Sequence, residues 1–244
     1  MNALAQQTEW DDESTRIFLK YGQAFVPYRE TQYGIICRIL SQVRPRSVVE
    51  LCCGQGKLSG LLLEALPEIT LQAFDGSELM LESARKSLAR FGRRLQTVLF
   101  DIHAKGWREF SPAVDAFVSS LALHHLTAEE KGGFYRDLFC SLSSGGVFLN
   151  ADLIWPPTPE GQKVAAQSWD DAVRRFSEGS QDGQEAYQAF ESLRWNLFRY
   201  PEDNTTDYPL PVAQELQLLS NAGFVDADVY WLYGGHAIMG CRKK

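Results

Sequence analysis

Apolar residues along the chain occur in short runs that alternate with amphipathic stretches. Five of these runs predict strands, at residues 47–52, 71–75, 95–101, 114–120 and 146–154. Between them, apolar positions at helical spacing predict helices at about residues 57–66, 77–91 and 127–142. Alternation of strands and helices is typical of an α/β fold with a parallel sheet covered on both faces. Because crossovers are right-handed, the predicted sheet is doubly wound.

The two ends of the chain extend this pattern. Residues 14–42 have helical spacing, and Pro27 divides them into two N-terminal helices. After the fifth strand, residues 155–208 carry loops and two polar, tryptophan-bearing helical stretches at about 161–177 and 183–199. A helix at 211–221 then precedes two strands joined at Gly234-Gly235. Two-residue Gly-Gly connections are typical of hairpins, so the last strand should run antiparallel to its neighbour.

These elements predict a single domain with four parts. They are an N-terminal helical cap at residues 1–46, a core at 47–154, a helical insertion or lid at 155–208, and a C-terminal helix and hairpin at 209–244.

The composition and charge favour a globular protein that binds a small molecule. The chain is 45% hydrophobic and 23% charged, which is typical of globular proteins, and its net charge of −7 would repel phosphate backbones. We therefore expect no duplex nucleic acid partner. The N-terminus has neither the basic nor the apolar region of a signal peptide, and no apolar run is long enough to span a membrane, so we expect a cytoplasmic protein.

The cysteine and histidine residues do not have the spacing of a metal site. The five cysteines include no Cys-x-x-Cys pair, and the four histidines form no H-E-x-x-H motif. The sequence therefore predicts neither a disulfide framework nor a bound metal.

The segment ELCCGQGKL carries the clearest chemical signal. Gly54 and Gly56 follow the first strand and open a helix, and bare backbone in such a turn can approach a ligand closely. Glu50, at the end of the strand, would oppose the pyrophosphate of a dinucleotide, and Ser59 stands where the dinucleotide motif has its third glycine. S-adenosylmethionine has no phosphate and carries an ammonium and a sulfonium, so an acid beside the turn would attract it.

This segment resembles the first motif of class I S-adenosylmethionine-dependent methyltransferases. Glu50, Gly54 and Gly56 match that motif, whereas Cys52 stands where the family usually has its first glycine. The resemblance implies a Rossmann-like, doubly wound, seven-stranded sheet whose last strand is antiparallel. Within the family the chain is most similar to small-molecule members of the ubiquinone-biosynthesis-like and carboxymethyl-uridine-biosynthesis-like branches.

Further positions match the family along the cofactor. Asp75 ends the second strand, where the family binds both ribose hydroxyls, although an acid there could equally cap the next helix. Ser77 and Met80 would flank the adenine. By the same resemblance, Asp101 accepts the adenine amino group and Ile102 covers the ring.

Other matching positions lie toward the methyl group. The resemblance implies that Ser119 and Leu121 line the methionine end of the cofactor. His124 or His125 could face the substrate as a base near neutral pH, or could simply pack in a turn. Tyr33, or less favourably Arg29, would contact the carboxylate of the cofactor, but a core aromatic is an equal alternative for Tyr33.

The resemblance therefore predicts an S-adenosylmethionine-dependent methyltransferase that acts on a small-molecule acceptor. Two alternatives remain open, namely a module that binds S-adenosylmethionine or a modified cofactor without methyl transfer, and an NAD(P)-dependent oxidoreductase. The aromatic residues of the insertion could serve a homodimer as easily as a substrate pocket.

Overall fold

A seven-stranded sheet forms the centre of the protein. The computed structural model describes residues 12–108, 110–178 and 181–244. Its strands are β1 (Ser47–Leu51), β2 (Thr70–Asp75), β3 (Leu95–Leu99), β4 (Val114–Ser120), β5 (Leu142–Leu153), β6 (Val225–Tyr233) and β7 (His236–Arg242). They lie in the order β3-β2-β1-β4-β5-β7-β6, and among the described strands β7 is the one that runs opposite to the other six. The predicted doubly wound sheet with an antiparallel last strand is confirmed.

Helices cover both faces of the sheet because successive strand residues point to opposite sides. The helices are α1 (Asp12–Phe25), α2 (Arg29–Val43), α3 (Lys57–Ala65), α4 (Glu78–Ser87), α5 (Ala128–Ser141), α6 (Pro159–Ser177), α7 (Gln181–Ser192) and α8 (Val212–Asn221). Val48 packs against α2 and α3 on one face, whereas its neighbour Val49 packs against α5 on the other. No helix in the described ranges is both long and apolar enough to cross a membrane.

A separate aromatic cluster joins the N-terminal helix to the insertion. Phe25 of α1, Trp169 of α6, Phe190 of α7 and Phe198 pack together with Leu153 at the end of β5. The Trp169 indole donates a hydrogen bond to the Phe25 carbonyl oxygen over 2.7 Å. This cluster holds α1, α6 and α7 beside the end of β5, at the carboxyl edge of the sheet.

Several predicted bounds were wrong by a few residues. The third strand ends at Leu99 rather than residue 101, the fifth begins at Leu142, and the helix predicted to reach residue 91 ends at Ser87 and is followed by a 3₁₀ helix. The largest error is the helix predicted at 183–199, which ends at Ser192. Arg194 adopts a left-handed backbone conformation (φ 50°), and the Asn196 side chain accepts backbone hydrogen bonds that compete with helical ones.

The division of the chain into cap, core, lid and C-terminal parts stays a prediction. Residues 1–11 of the predicted cap lie outside the described residues. The order of the strands reverses between β1 and β4. In open α/β sheets the ligand crevice lies at that switch point, beyond the carboxyl ends of the strands.

Candidate active site at the switch point

The turn between β1 and α3 has a backbone that leaves space at one glycine. Cys52, Gly54 and Gly56 all have positive φ values, of 56°, 54° and 74°. A Cβ at Gly56 would lie 2.7 Å from Leu88, so this glycine is required for packing against the segment that follows α4. A Cβ at Gly54 would meet only the Met80 sulfur, at 4.0 Å. A Cβ at Gly54 would thus enter open space, whereas one at Gly56 would enter the packed interior, and cofactor binding by either glycine stays a prediction.

Glu50 is a buried carboxyl group directly behind this turn. It is 2% exposed, and the Ser59 hydroxyl, one turn into α3, donates a hydrogen bond to it. Burial raises the pKa of Glu50 to about 8, more than the hydrogen bond from Ser59 lowers it. The residue that breaks the dinucleotide motif, Ser59, is thus the partner of the acid that characterises this site.

Arg29 and Tyr33 approach the same carboxyl group from α2. The Arg29 guanidinium donates to the Tyr33 hydroxyl over 2.6 Å, and Tyr33 is 2% exposed. Burial raises the pKa of Tyr33, and the charge of Arg29 acts in the opposite direction on both Tyr33 and Glu50. The two candidates for contact with the cofactor's carboxylate therefore lie together, next to the switch point.

Asp75 bonds to the same turn from the end of β2. Its carboxylate accepts hydrogen bonds from the backbone N–H groups of Gly54 (2.7 Å) and Ser77 (2.9 Å). The cap of α4 is Ser77, whose hydroxyl accepts from the Met80 backbone N–H, so the capping alternative for Asp75 is corrected. Each Asp75 oxygen keeps a further lone pair that could accept a ribose hydroxyl.

The remaining predicted cofactor residues fall into two groups. In the first group, Ser119 is buried and its hydroxyl donates a hydrogen bond to the Leu51 carbonyl oxygen. Leu121 has a left-handed backbone conformation (φ 56°), and its N–H donates to the Ala151 carbonyl oxygen. Both residues therefore lie at the carboxyl ends of the central strands. Asp101 and Ile102 lie beyond the end of β3, where exposed Asp101 accepts the His103 backbone N–H in a local turn. That contact is turn chemistry and involves none of the residues around Gly54.

Two histidines form a polar cluster after β4. His124 is buried, and its Nδ1 lies 2.5 Å from Asp152 Oδ1, while its backbone N–H donates to the other Asp152 oxygen. His125 Nδ1 lies 3.0 Å from Asp207 Oδ1, which is also 3.9 Å from His124 Nε2. The two imidazole rings are 4.2 Å apart.

The carboxylates of this cluster are held in their charged form. Burial alone would raise the pKa of Asp152, but the charge of His124 and its hydrogen bond outweigh it and lower that pKa. The pKa of Asp207 is lowered in the same way, chiefly by its hydrogen bond with His125, and the same bond raises the pKa of His125 against the effect of burial. The arrangement can hold a proton, or a cation, between two imidazoles and two carboxylates.

Sequence reasoning missed Asp152 and Asp207. Asp152 lies at the end of β5, one residue before its last residue. An acid at the end of a strand was the pattern that identified Glu50 and Asp75, and the same pattern could have identified Asp152. Asp207 lies in an irregular loop more than 80 residues after His125, and no spacing in the sequence relates the two.

Comparison with known proteins agrees with the fold and the first motif. Residues 48–146 match a family model described as "Methyltransferase domain". Carboxy-S-adenosyl-L-methionine synthase of Campylobacter curvus is 22% identical over 153 residues, 62% of this chain and 64% of that protein. The protein of that name from Campylobacter hominis is 22% identical over 99% of this chain and 97% of its own length. Trans-aconitate 2-methyltransferase of an Acidovorax species is 49% identical over 49 residues, 20% of this chain and 19% of that protein.

Solved structures share the fold at low sequence identity. The structure described as PigF with SAH has a TM-score of 0.62 at 16% identity, covering 96% of this chain and 59% of its own. Human N-acetylserotonin methyltransferase in complex with SAM has a TM-score of 0.57 at 14% identity, covering 96% and 59%. The chain thus spans less than two thirds of these structures and of the first relative above. At such identities the likeness concerns the fold alone.

Proposed function

We propose that this chain binds S-adenosylmethionine at the switch point and transfers its methyl group to a small molecule, as the match of residues 48–146 to the methyltransferase-domain family model supports. The observation that carries the proposal is the buried Glu50 carboxyl group behind a left-handed turn that is open at Gly54 and tied to Asp75. This site offers acids and bare backbone to a ligand that carries positive charge and no phosphate.

The family resemblance assigns the residues along the cofactor. Gly54 would approach the cofactor backbone, and Asp75 would accept the ribose hydroxyls through its remaining lone pairs. Ser77, Met80, Asp101 and Ile102 would surround the adenine. Glu50, Ser119 and Leu121 would lie toward the methionine part, whose carboxylate would pair with the Arg29–Tyr33 couple.

His124 would act as the base where the acceptor must lose a proton. An ionised Asp152 can accept hydrogen bonds but cannot donate them, so it would hold the Nδ1–H tautomer whenever His124 is neutral and would leave the Nε2 lone pair for the acceptor. His125, the second candidate base, is engaged with Asp207. The reaction itself needs mainly in-line positioning and exclusion of water, since the cofactor supplies the activated methyl group.

The lid that we propose consists of residues 14–33 and 158–208. Its support is the aromatic cluster of α1, α6 and α7, which packs against Leu153 beside His124 and Asp152. We propose that the small-molecule acceptor binds beneath this lid. A homodimer, the absence of a nucleic acid partner and a cytoplasmic location stay predictions.

Calorimetric titration with S-adenosylmethionine tests the binding step, with NADH as the control ligand. We expect saturable binding of S-adenosylmethionine alone. Burial raises the pKa of Glu50 to about 8, so the group is mostly protonated at pH 7, whereas a cationic ligand beside it favours the carboxylate. Binding should therefore release about one proton. This release is measured as a binding heat that changes with the ionisation enthalpy of the buffer. Glu50→Gln should bind more weakly and release none. The surface variant Glu68→Gln is the matched control and should behave like the wild type.

Other outcomes would contradict the proposal. Binding of NADH alone would favour the oxidoreductase. Unchanged affinity and proton release in Glu50→Gln would remove that residue from the site.

A second candidate is chemistry on the cofactor itself, or binding of a modified cofactor. It is favoured by the relatives named carboxy-S-adenosyl-L-methionine synthase and by Cys52, which holds a left-handed conformation that glycine adopts more readily. Mass spectrometry of the nucleoside that co-purifies separates the candidates. A cofactor heavier by a carboxyl group would favour this one, and unmodified S-adenosylmethionine would favour methyl transfer.

A further inference from the structure

The cluster after β4 brings three metal-binding side chains to one point. His124, His125 and Asp207 each offer one ligand atom, and these three atoms all lie within 4.8 Å of one another. Asp207 Oδ1 is 3.0 Å from the His125 nitrogen and 3.9 Å from the His124 nitrogen. Ligands of a tetrahedral Zn²⁺ ion at about 2.0–2.1 Å are separated by roughly 3.3 Å, which lies between these two distances.

Asp152 orients one of the three ligands from behind. It lies 2.5 Å from Nδ1 of His124 and accepts the backbone N–H of the same residue, which fixes both the ring and its tautomer. The other nitrogen of the ring, Nε2, lies 3.9 Å from Asp207 Oδ1. A carboxylate behind a histidine ligand is the usual outer-shell partner in metal sites, because it sets the tautomer and raises the basicity of the ligand.

The loop that carries Asp207 is fastened to the histidines. The Tyr208 backbone N–H donates to the His124 carbonyl oxygen over 2.5 Å. The Asn204 side chain accepts the Asp207 N–H over 2.9 Å and donates to the Asp207 carbonyl oxygen over 2.7 Å. Asp207 is therefore held at its position by backbone bonds that do not depend on its carboxylate.

We propose that His124, His125 and Asp207 bind one first-row divalent transition metal ion such as Zn²⁺, with Asp152 as the outer-shell partner of His124. Two imidazoles and one carboxylate suit Zn²⁺, Co²⁺ or Fe²⁺ rather than Mg²⁺ or Ca²⁺, which prefer oxygen ligands. Three protein ligands leave a coordination position open for water or an acceptor oxygen. With the metal bound, Nε2 would be a ligand and could not accept a proton, and the ion would instead lower the pKa of that water or acceptor oxygen.

This inference goes beyond the proposed function, since metal binding requires neither the cofactor nor methyl transfer. It differs from the prediction of no metal, which used sequence spacing alone. Spacing along the chain could not relate Asp207 to the two histidines.

Titration of the tag-free, chelator-treated full chain with Zn²⁺ and Co²⁺ tests the site. We expect one saturable site per chain and visible d–d absorption on Co²⁺ binding. Asp207→Ala should abolish the site, and Asp152→Asn should weaken binding by about 10- to 100-fold. His103→Ala is the matched control, because His103 is an exposed histidine beside Glu130, and it should leave binding unchanged.

Several results would overturn the proposal. They are no saturable binding by the wild type, full binding by Asp207→Ala, or loss of the site in His103→Ala. X-ray absorption of the Zn²⁺-loaded wild type adds a test that needs no variant, and a shell with two imidazoles is expected, whereas one or none would refute the site. Separate titration with S-adenosylmethionine distinguishes failure of the metal site from failure of the proposed function.

Discussion

Glu50 makes the stability of the ligand-free protein depend on pH, and replacing it by glutamine should remove that dependence. The glutamine side chain keeps the shape and an acceptor oxygen for the Ser59 hydroxyl, but it cannot ionise. Glu50 can ionise, and burial makes the charged form unfavourable in the folded state.

The size of the effect follows from the two pKa values. The pKa of Glu50 rises from 4.5 in its ordinary state to about 8 in the fold. A carboxyl group raised in this way contributes its full stability below about pH 4.5, and this contribution is lost as the pH rises toward 8. Each pH unit in this window corresponds to about 1.4 kcal/mol, so the wild type loses roughly 3 kcal/mol by pH 7 and roughly 4 kcal/mol by pH 8, where Glu50 is half ionised in the fold.

Urea unfolding of the two proteins between pH 5 and pH 7.5 measures this difference. The free energy of unfolding of Glu50→Gln, relative to the wild type, should increase by about 3 kcal/mol across that range. The Glu68→Gln control removes an exposed carboxyl group and should show little change. If the relative stability of Glu50→Gln stays constant with pH, the Glu50 carboxyl group is solvated in solution and is not the buried acid that the proposed site requires.

Four other substitutions test the packing of the glycine turn, the role of His124 and a buried ion pair. Gly56→Ala should lower the free energy of unfolding in urea by about 1–3 kcal/mol, because its Cβ meets Leu88 at 2.7 Å. Gly54→Ala should weaken cofactor binding in calorimetry and lower the stability less. Equal losses of stability in the two variants would argue against this difference between the glycines. Asp152→Asn should lower kcat with any acceptor that must lose a proton and alter its pH profile, and an unchanged profile would exclude His124 as the base. Lys131→Met removes the ammonium group 2.6 Å from buried Glu215, which keeps the hydrogen bond from the Tyr135 hydroxyl, and should cost about 3–5 kcal/mol by chemical unfolding. Most of this loss should be recovered when Glu215→Leu and Tyr135→Phe are added, and no recovery would point to lost packing instead.

Local patterns predicted much of the architecture. Alternation of apolar runs with helical periodicity specified the strands and the crossovers, and the Gly234-Gly235 pair specified the hairpin that makes β7 antiparallel. These signals are local, since each depends on neighbouring residues and on the periods of helices and strands. The predicted end of the helix that stops at Ser192 was wrong because the Asn196 side chain accepts hydrogen bonds that compete with helical ones, and such bonds have no periodic pattern in the sequence.

The candidate site divides in the same way. Strand order and strand ends, both readable from the sequence, put Glu50, the glycine turn and Asp75 at one edge, because parallel strands end at the same edge of a sheet. Three-dimensional packing was needed to show that a Cβ is excluded at Gly56 but not at Gly54, that Ser59 bonds to Glu50, and that Asp152 and Asp207 flank His124 and His125. These last relations join residues far apart in the chain, and the packing of the sheet and the 204–208 loop, rather than any spacing in the sequence, brings them together.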